Sequence, residues 1–114
     1  MKRDFSQTLS ALGQPLPEPA HTLGAVCVAA LLGAYADEQS LSGEEKFRRY
    51  QLAGRIHAGG IQDVSAEEVA QLKKLIGKNW PPAVLGPAYE ALEQDAHELV
   101  DEPVRGEIVP DAAA

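Results

Sequence analysis

The side chains best suited to acid-base, metal or nucleophilic chemistry in this chain are three histidines and one cysteine. The histidines, His21, His57 and His97, lie on separate segments, whereas metal sites usually take paired ligands from short local motifs. Cys27 stands between two valines in an apolar run, which indicates a buried, inert thiol rather than a nucleophile. We therefore expect no metal ion, no cofactor and no catalytic cysteine.

The common catalytic motifs are missing as well. The sequence contains no phosphate-binding glycine loop, no nucleophile elbow and no histidine pair at helical spacing. Carboxylates are abundant, but a general acid needs a buried carboxyl with a raised pKa. These carboxylates stand at predicted helix starts, in loops and near the C-terminus, so the sequence predicts a protein that is not an enzyme.

Charge is distributed unevenly along the 114 residues. Residues 1–87 hold nine acidic and nine basic side chains, and residues 88–114 hold eight acidic side chains against one arginine, so the second part supplies the net charge of -7. An acidic field repels phosphate backbones and attracts basic partners. The alternative is a solvated helix face with a soluble tail.

The candidate partner surface combines a rigid aromatic edge with these acidic residues. Its members are Trp80, Glu90, Glu93, Glu98, Asp101 and Glu102. Tryptophan is enriched at binding hot spots, although core packing under the last helix is the alternative role for Trp80. The expected partner is a protein, which the acidic side chains would suit best if it were basic.

A basic surface is the second candidate. Lysine and arginine side chains on two adjacent predicted helices could contact nucleic acid: Arg48, Arg49, Arg55, Lys73, Lys74 and Lys78. The last two helices also look superficially like a helix-turn-helix. The second of them offers only Gln94 as a base-reading side chain, so nucleic-acid binding is the weaker alternative.

Local signals predict the helices that would position these residues. Ser65 and Glu68 form a capping box, with Val64 and Val69 placed as a hydrophobic staple, and Gly77 is expected to end that helix in a left-handed conformation. A similar box at residues 42–45 opens the preceding helix. Thr22 is a plausible N-cap for the apolar helix that follows it.

The apolar patterns predict which helix sides are buried. The helix from Leu23 is apolar all round, which is typical of a central helix. The next helix has apolar residues on two sides, Leu52 with Ile56 on one, and on the other Phe47, Tyr50, Ala53, Gly54 and His57. His57 is expected to point with Tyr50 and Gly54 toward the interior or its rim. The last helix carries an apolar stripe as far as Val100, and its Pro87 predicts a start near Gly86 or a kink there.

The N-terminal part predicts a small β-hairpin. Phe5, Gln7 and Leu9 alternate with the small polar residues at 6, 8 and 10, and a turn at Gly13 leads into a proline-containing second arm. The extended stretch 61–64 could pair with it. The predicted fold is therefore a mainly helical α+β domain with about four helices, spanning residues 1–103 and followed by a flexible acidic tail at 104–114.

The charged opening residues run into a polar segment, so we expect no secretory signal, and the longest uncharged apolar run is too short to span a bilayer. With one cysteine no intramolecular disulfide can form, which is typical of a reducing compartment. We therefore expect a cytoplasmic protein without a membrane partner.

The chain resembles a group of small uncharacterised proteins encoded by tailed phages and prophages of proteobacteria. The likeness spans about residues 5–94 and rests on capping and packing residues, among them Ser42-Gly43-Glu44-Glu45-Lys46, Leu52-Ala53, Ser65-Ala66-Glu67-Glu68 and Leu75-Ile76-Gly77-Lys78. The resemblance implies a phage origin and a place in the host cytoplasm or in a virion. It brings no known activity and no site residue.

Two functions follow from these observations together. The first is a non-enzymatic accessory module that binds a phage or host protein. The alternative is a virion structural or assembly component of the tail or head-tail region, which would form a homo-oligomer.

Overall fold

The computed structural model describes residues 1–94, and these form four helices and four short strands. The helices are α1 (Leu23–Leu32), α2 (Gly43–His57), α3 (Ala66–Asn79) and α4 (Pro82–Leu92), with a short 3-10 turn at Ala36–Glu38. The strands are β1 (Lys2–Asp4), β2 (Ser10–Ala11), β3 (Gln14–Pro15) and β4 (Ile61–Asp63). The predicted mainly helical α+β fold is confirmed. The predicted tail at 104–114 and the end of the predicted domain at 103 lie outside the described residues.

The strands form two separate antiparallel pairs. β2 and β3 make the predicted hairpin, in which Leu12 and Gly13 take the turn with φ of 53° and 81°. β4 pairs with β1, Lys2 standing opposite Asp63, and not with the hairpin as the sequence suggested. The stretch predicted as the first hairpin arm begins with a turn, in which the Gln7 N–H donates to the carbonyl of Asp4 at 3.4 Å. Phe5 is buried in the core.

Helix capping follows the sequence signals. Ser65 accepts from the Glu68 N–H at 3.0 Å, and the Glu68 carboxylate accepts from the Ser65 N–H at 2.9 Å. The box at Ser42 and Glu45 is also formed, and Thr22 accepts from the third residue of α1. Such caps satisfy backbone donors that a helix start leaves free, each contributing about 1 kcal/mol.

The core is organised around α1, which packs against the other three helices. Its side chains at Leu23, Val26 and Cys27 are fully buried, so the predicted central position is confirmed. One side of α1 is different: Val28 is only partly buried and Leu32 is exposed. The expectation that α1 is covered all round is therefore wrong for this side among the described residues.

Gly77 does not end α3, contrary to the sequence-based expectation. The helix continues to Asn79, and Gly77 is not among the residues with positive φ. A Cβ added at Gly77 would lie 3.2 Å from the hydroxyl of Tyr89, which donates to the carbonyl of Lys73 at 2.6 Å. The glycine is thus explained by the close approach of α4 to α3.

The start of α4 also differs from the predicted start near Gly86. The helix begins at Pro82 and runs through Pro87; a preceding Gly86 has no Cβ to clash with the proline ring. It ends at Leu92, and the part of the predicted stripe from residue 95 to Val100 lies outside the described residues. The carbonyl of Leu92 accepts from Nε of the buried Arg3.

Candidate functional site

The structure separates the roles of the residues predicted to form a partner surface. Trp80 is partly buried against the core, and its indole N–H donates to the carbonyl of Val26 at 3.2 Å. Glu90 and Glu93 are exposed on or just after α4, and Glu93 forms an ion pair with Lys73 at 2.8 Å. The other three predicted members, Glu98, Asp101 and Glu102, lie outside the described residues.

The predicted basic surface is largely neutralised by carboxylates. Five of its six members form ion pairs with N–O distances of 2.8 to 3.5 Å: Arg48 with Glu44, Arg49 with Glu38, Arg55 with Glu68, Lys73 with Glu93, and Lys78 with Asp37 and Glu38. Only Lys74 has no ion pair among the described residues. A phosphate backbone would have to compete with these carboxylates, which argues against nucleic-acid recognition.

The most buried ion pairs are centred on Glu38, at the end of the 3-10 turn. Arg49 donates through both terminal nitrogens to the two Glu38 oxygens at 2.8 Å, and the Lys78 ammonium lies 3.0 Å from Oε2. Hydrogen bonds from Arg49 and then Lys78 lower the pKa of Glu38 to about 2. A carboxyl with so low a pKa stays ionised at neutral pH, so it ties the turn to α2 and α3 and is not suited to proton donation.

The remaining chemistry-bearing side chains are scattered. Burial raises the pKa of the Cys27 thiol to about 12, which suppresses the reactive thiolate. His21 Nδ1 lies 3.2 Å from the carbonyl oxygen of Leu16, His57 is exposed, and His97 lies outside the described residues. Within residues 1–94, no group of three or more His, Cys, Asp or Glu side chains could hold a metal ion.

The structure reveals an apolar face that the sequence did not predict. We use this name for Val28 and Leu32 of α1 together with Phe47, Tyr50 and Gly54 of α2. Leu32, Phe47 and Tyr50 are 56%, 57% and 65% exposed. An open cavity of about 400 Å³ lies between the two helices, and every member except Phe47 lines it together with Gln51, Ala53 and His57. Phe47 lies one turn from Tyr50 on the same side of α2.

The orientation of α2 corrects the prediction for this helix. Tyr50, Gly54 and His57 were expected to point toward the interior or its rim, but all three are exposed. Of the other two residues predicted on that side, Phe47 is exposed and Ala53 is buried. The buried side is formed by Arg49, Leu52, Ala53 and Ile56. The orientation of α2 that buries Leu52 and Ile56 also brings the Arg49 guanidinium to Glu38. This ion pair offsets the desolvation of the arginine.

Gly54 adds an independent sign that the apolar face has a role beyond folding. It lies inside α2, where glycine is about 1 kcal/mol less favourable than alanine. A Cβ added there would meet no atom within 4 Å. Packing within the fold therefore does not require a glycine at position 54. Residues that are unfavourable for the local secondary structure occur most often at functional positions.

Comparisons with protein families, with curated proteins and with solved structures find no match to this chain. Among the described residues, no helix is long and apolar enough to cross a membrane. The evidence for the apolar face as the candidate site is therefore its geometry alone.

Proposed function

We propose that this protein is a non-enzymatic protein-binding module that contacts its partner through the apolar face. The observation that carries the proposal is that three large apolar side chains, each more than half exposed, lie close together. Leu32 and Tyr50 line one cavity, and Phe47 lies beside it on the same side of α2. Contiguous exposed apolar patches mark interaction sites in stable proteins. Aromatic side chains are also the residues most enriched in interface cores.

The biological setting belongs to the same proposal. The resemblance to small phage and prophage proteins supports an accessory factor that acts on a phage or host protein, in the host cytoplasm or in a virion. The acidic Glu90 and Glu93 would add long-range attraction for a basic partner, acting mainly on the rate of association. We do not propose nucleic-acid binding, because the candidate basic residues are mostly engaged in ion pairs.

A comparative capture experiment tests the apolar face. Tagged wild-type protein, a Tyr50→Ser variant and an Ile61→Ser control would be used to recover co-purifying proteins from phage-infected cells, or from cells that also express a differently tagged copy of this chain. Ile61 is an exposed apolar residue on β4, 49% accessible, so the control removes similar surface elsewhere. We expect Tyr50→Ser to lose proteins that the wild type and the control retain.

Equal recovery of every protein by the two variants would contradict the proposal. Circular dichroism spectra and melting curves of both variants are the control for folding. Both substitutions remove exposed side chains, so we expect the melting temperatures to stay close to that of the wild type.

A further inference from the structure

We propose that the partner on the apolar face is a second copy of this chain, with the two α2 helices packed antiparallel about a two-fold axis so that Tyr50 of each copy lies over Gly54 of the other. This inference rests on the proposed function, since it uses the same surface. It goes further by naming the occupant and the residue pair at the centre of the contact.

The first argument is self-complementarity. Tyr50 has a large exposed side chain, and Gly54, one helical turn away, has none, which leaves space beside it. Both residues line the same cavity. In a two-fold interface, residue i of one copy contacts residue j of the other, and j contacts i in return. An axis midway between residues 50 and 54 would therefore bring each tyrosine to the glycine of the opposite copy.

The spacing along α2 extends this match over the whole helix. Phe47, Tyr50, Gly54 and His57 follow one another at intervals of three, four and three residues, the spacing of a helix-helix seam. About the same axis, Phe47 would face His57 of the second copy. Glycine at the crossing point lets two helix backbones approach closely, and Val28 and Leu32 of α1 would then flank the inserted tyrosine ring.

The third argument is the local pairing of charges on the exposed side of α2. Arg48 and Arg55, the arginines on the exposed side of α2, already pair with Glu44 and Glu68 within the chain. Two copies could thus meet along this side without opposing unpaired charges from those positions.

Sedimentation equilibrium of the full chain over a dilution series tests the proposal. We expect the wild type to dimerise reversibly, and we expect Tyr50→Ala and Gly54→Ala each to raise the dimer dissociation constant by about tenfold or more. Two matched controls make comparable changes elsewhere. Ile61→Ala removes an exposed apolar side chain from β4, and Gly43→Ala adds a methyl group at the start of α2, where an added Cβ also meets open space. The controls should leave the dissociation constant within about twofold of the wild type.

Mixing the two interface variants tests the two-fold pairing itself. A heterodimer of Tyr50→Ala with Gly54→Ala keeps one intact tyrosine-glycine contact and places the two alanines opposite each other. We therefore expect the heterodimer to form more readily than the Gly54→Ala homodimer, in which both tyrosines meet an alanine. No preference for the heterodimer would overturn the antiparallel arrangement.

Two further results would overturn the inference. One is a monomeric wild type at every concentration at which the protein stays dissolved, and the other is a dimer that neither interface substitution weakens. If the chain is monomeric but captures a different protein in a Tyr50-dependent manner, the proposed function stands and only the second copy is excluded. If neither occurs, both fail.

Discussion

The glycines of the helices allow a sharp test of the structure, because the same substitution should have opposite effects at two positions. At Gly54 an added Cβ meets no atom within 4 Å, so Gly54→Ala should gain the difference in helix propensity, about 1 kcal/mol. For a domain of this size, that corresponds to a rise in melting temperature of about 5 °C. The gain concerns the monomer, whatever the effect on association.

At Gly24 the same change should destabilise the protein. A Cβ added there would lie 2.8 Å from the carbonyl oxygen of Phe5 and 3.6 Å from that of Ile56. The Gly24 N–H donates to the same Phe5 oxygen at 2.8 Å, so the backbone cannot move away without losing that bond. We expect Gly24→Ala to lower the free energy of unfolding by about 1 to 3 kcal/mol, as for other overpacked core positions.

Urea unfolding followed by circular dichroism gives both values. The measurements belong at the lowest workable protein concentration, since association would add a concentration-dependent contribution to stability. A loss of stability in Gly54→Ala under these conditions would refute the reasoning, because it would mean that the chain itself fills the space beside Gly54. Equal effects at the two positions would refute it as well.

Three further substitutions test other parts of the account. Leu12→Asn should raise the free energy of unfolding by about 1 kcal/mol, since Leu12 is fully exposed with a φ of 53° and asparagine tolerates this turn conformation better; a decrease in urea unfolding would contradict this. Glu38→Gln should lower stability at neutral pH. The pKa of Glu38 is lowered to about 2 in the folded chain, so its contribution is present above its ordinary pKa and is lost as the pH falls towards about 2. The variant should lack that part of the acid sensitivity, and an unchanged pH profile would count against the ion pairs. Trp80→Ala should lower the melting temperature because the indole packs on the core and donates to Val26; weaker partner binding at unchanged stability would instead make Trp80 an interface residue.

Much of the secondary structure could be predicted because its signals are local. Ser65 and Glu68 stand at capping-box spacing, and both hydrogen bonds are present. Gly59 and Gly60 follow α2 directly after its C-cap region, and both take positive φ, the conformation that glycine favours at helix ends. Such interactions join residues a few positions apart, so the order of the residues is sufficient to predict them.

The candidate site was missed because it depends on how one helix is rotated against the rest. The pattern of α2 has apolar residues on two sides, Phe47 with Tyr50 and Leu52 with Ile56, and periodicity cannot decide which side packs. Which side of α2 is buried depends on contacts with residues far away in the sequence, such as the ion pair between Arg49 and Glu38. The contact between Arg3 and the end of α4 joins residues at opposite ends of the described chain, and no local signal marks it.

The proposed function requires that a partner protein covers the apolar face in the cell. Hydroxyl-radical footprinting measures this directly as the oxidation rates of Phe47 and Tyr50, with the exposed Ile61 as reference. The comparison is between the dilute purified chain and the chain in extract from phage-infected cells. We predict that Phe47 and Tyr50 are protected in the extract while Ile61 is oxidised at the same rate in both samples. Unchanged oxidation of Phe47 and Tyr50 would contradict the account.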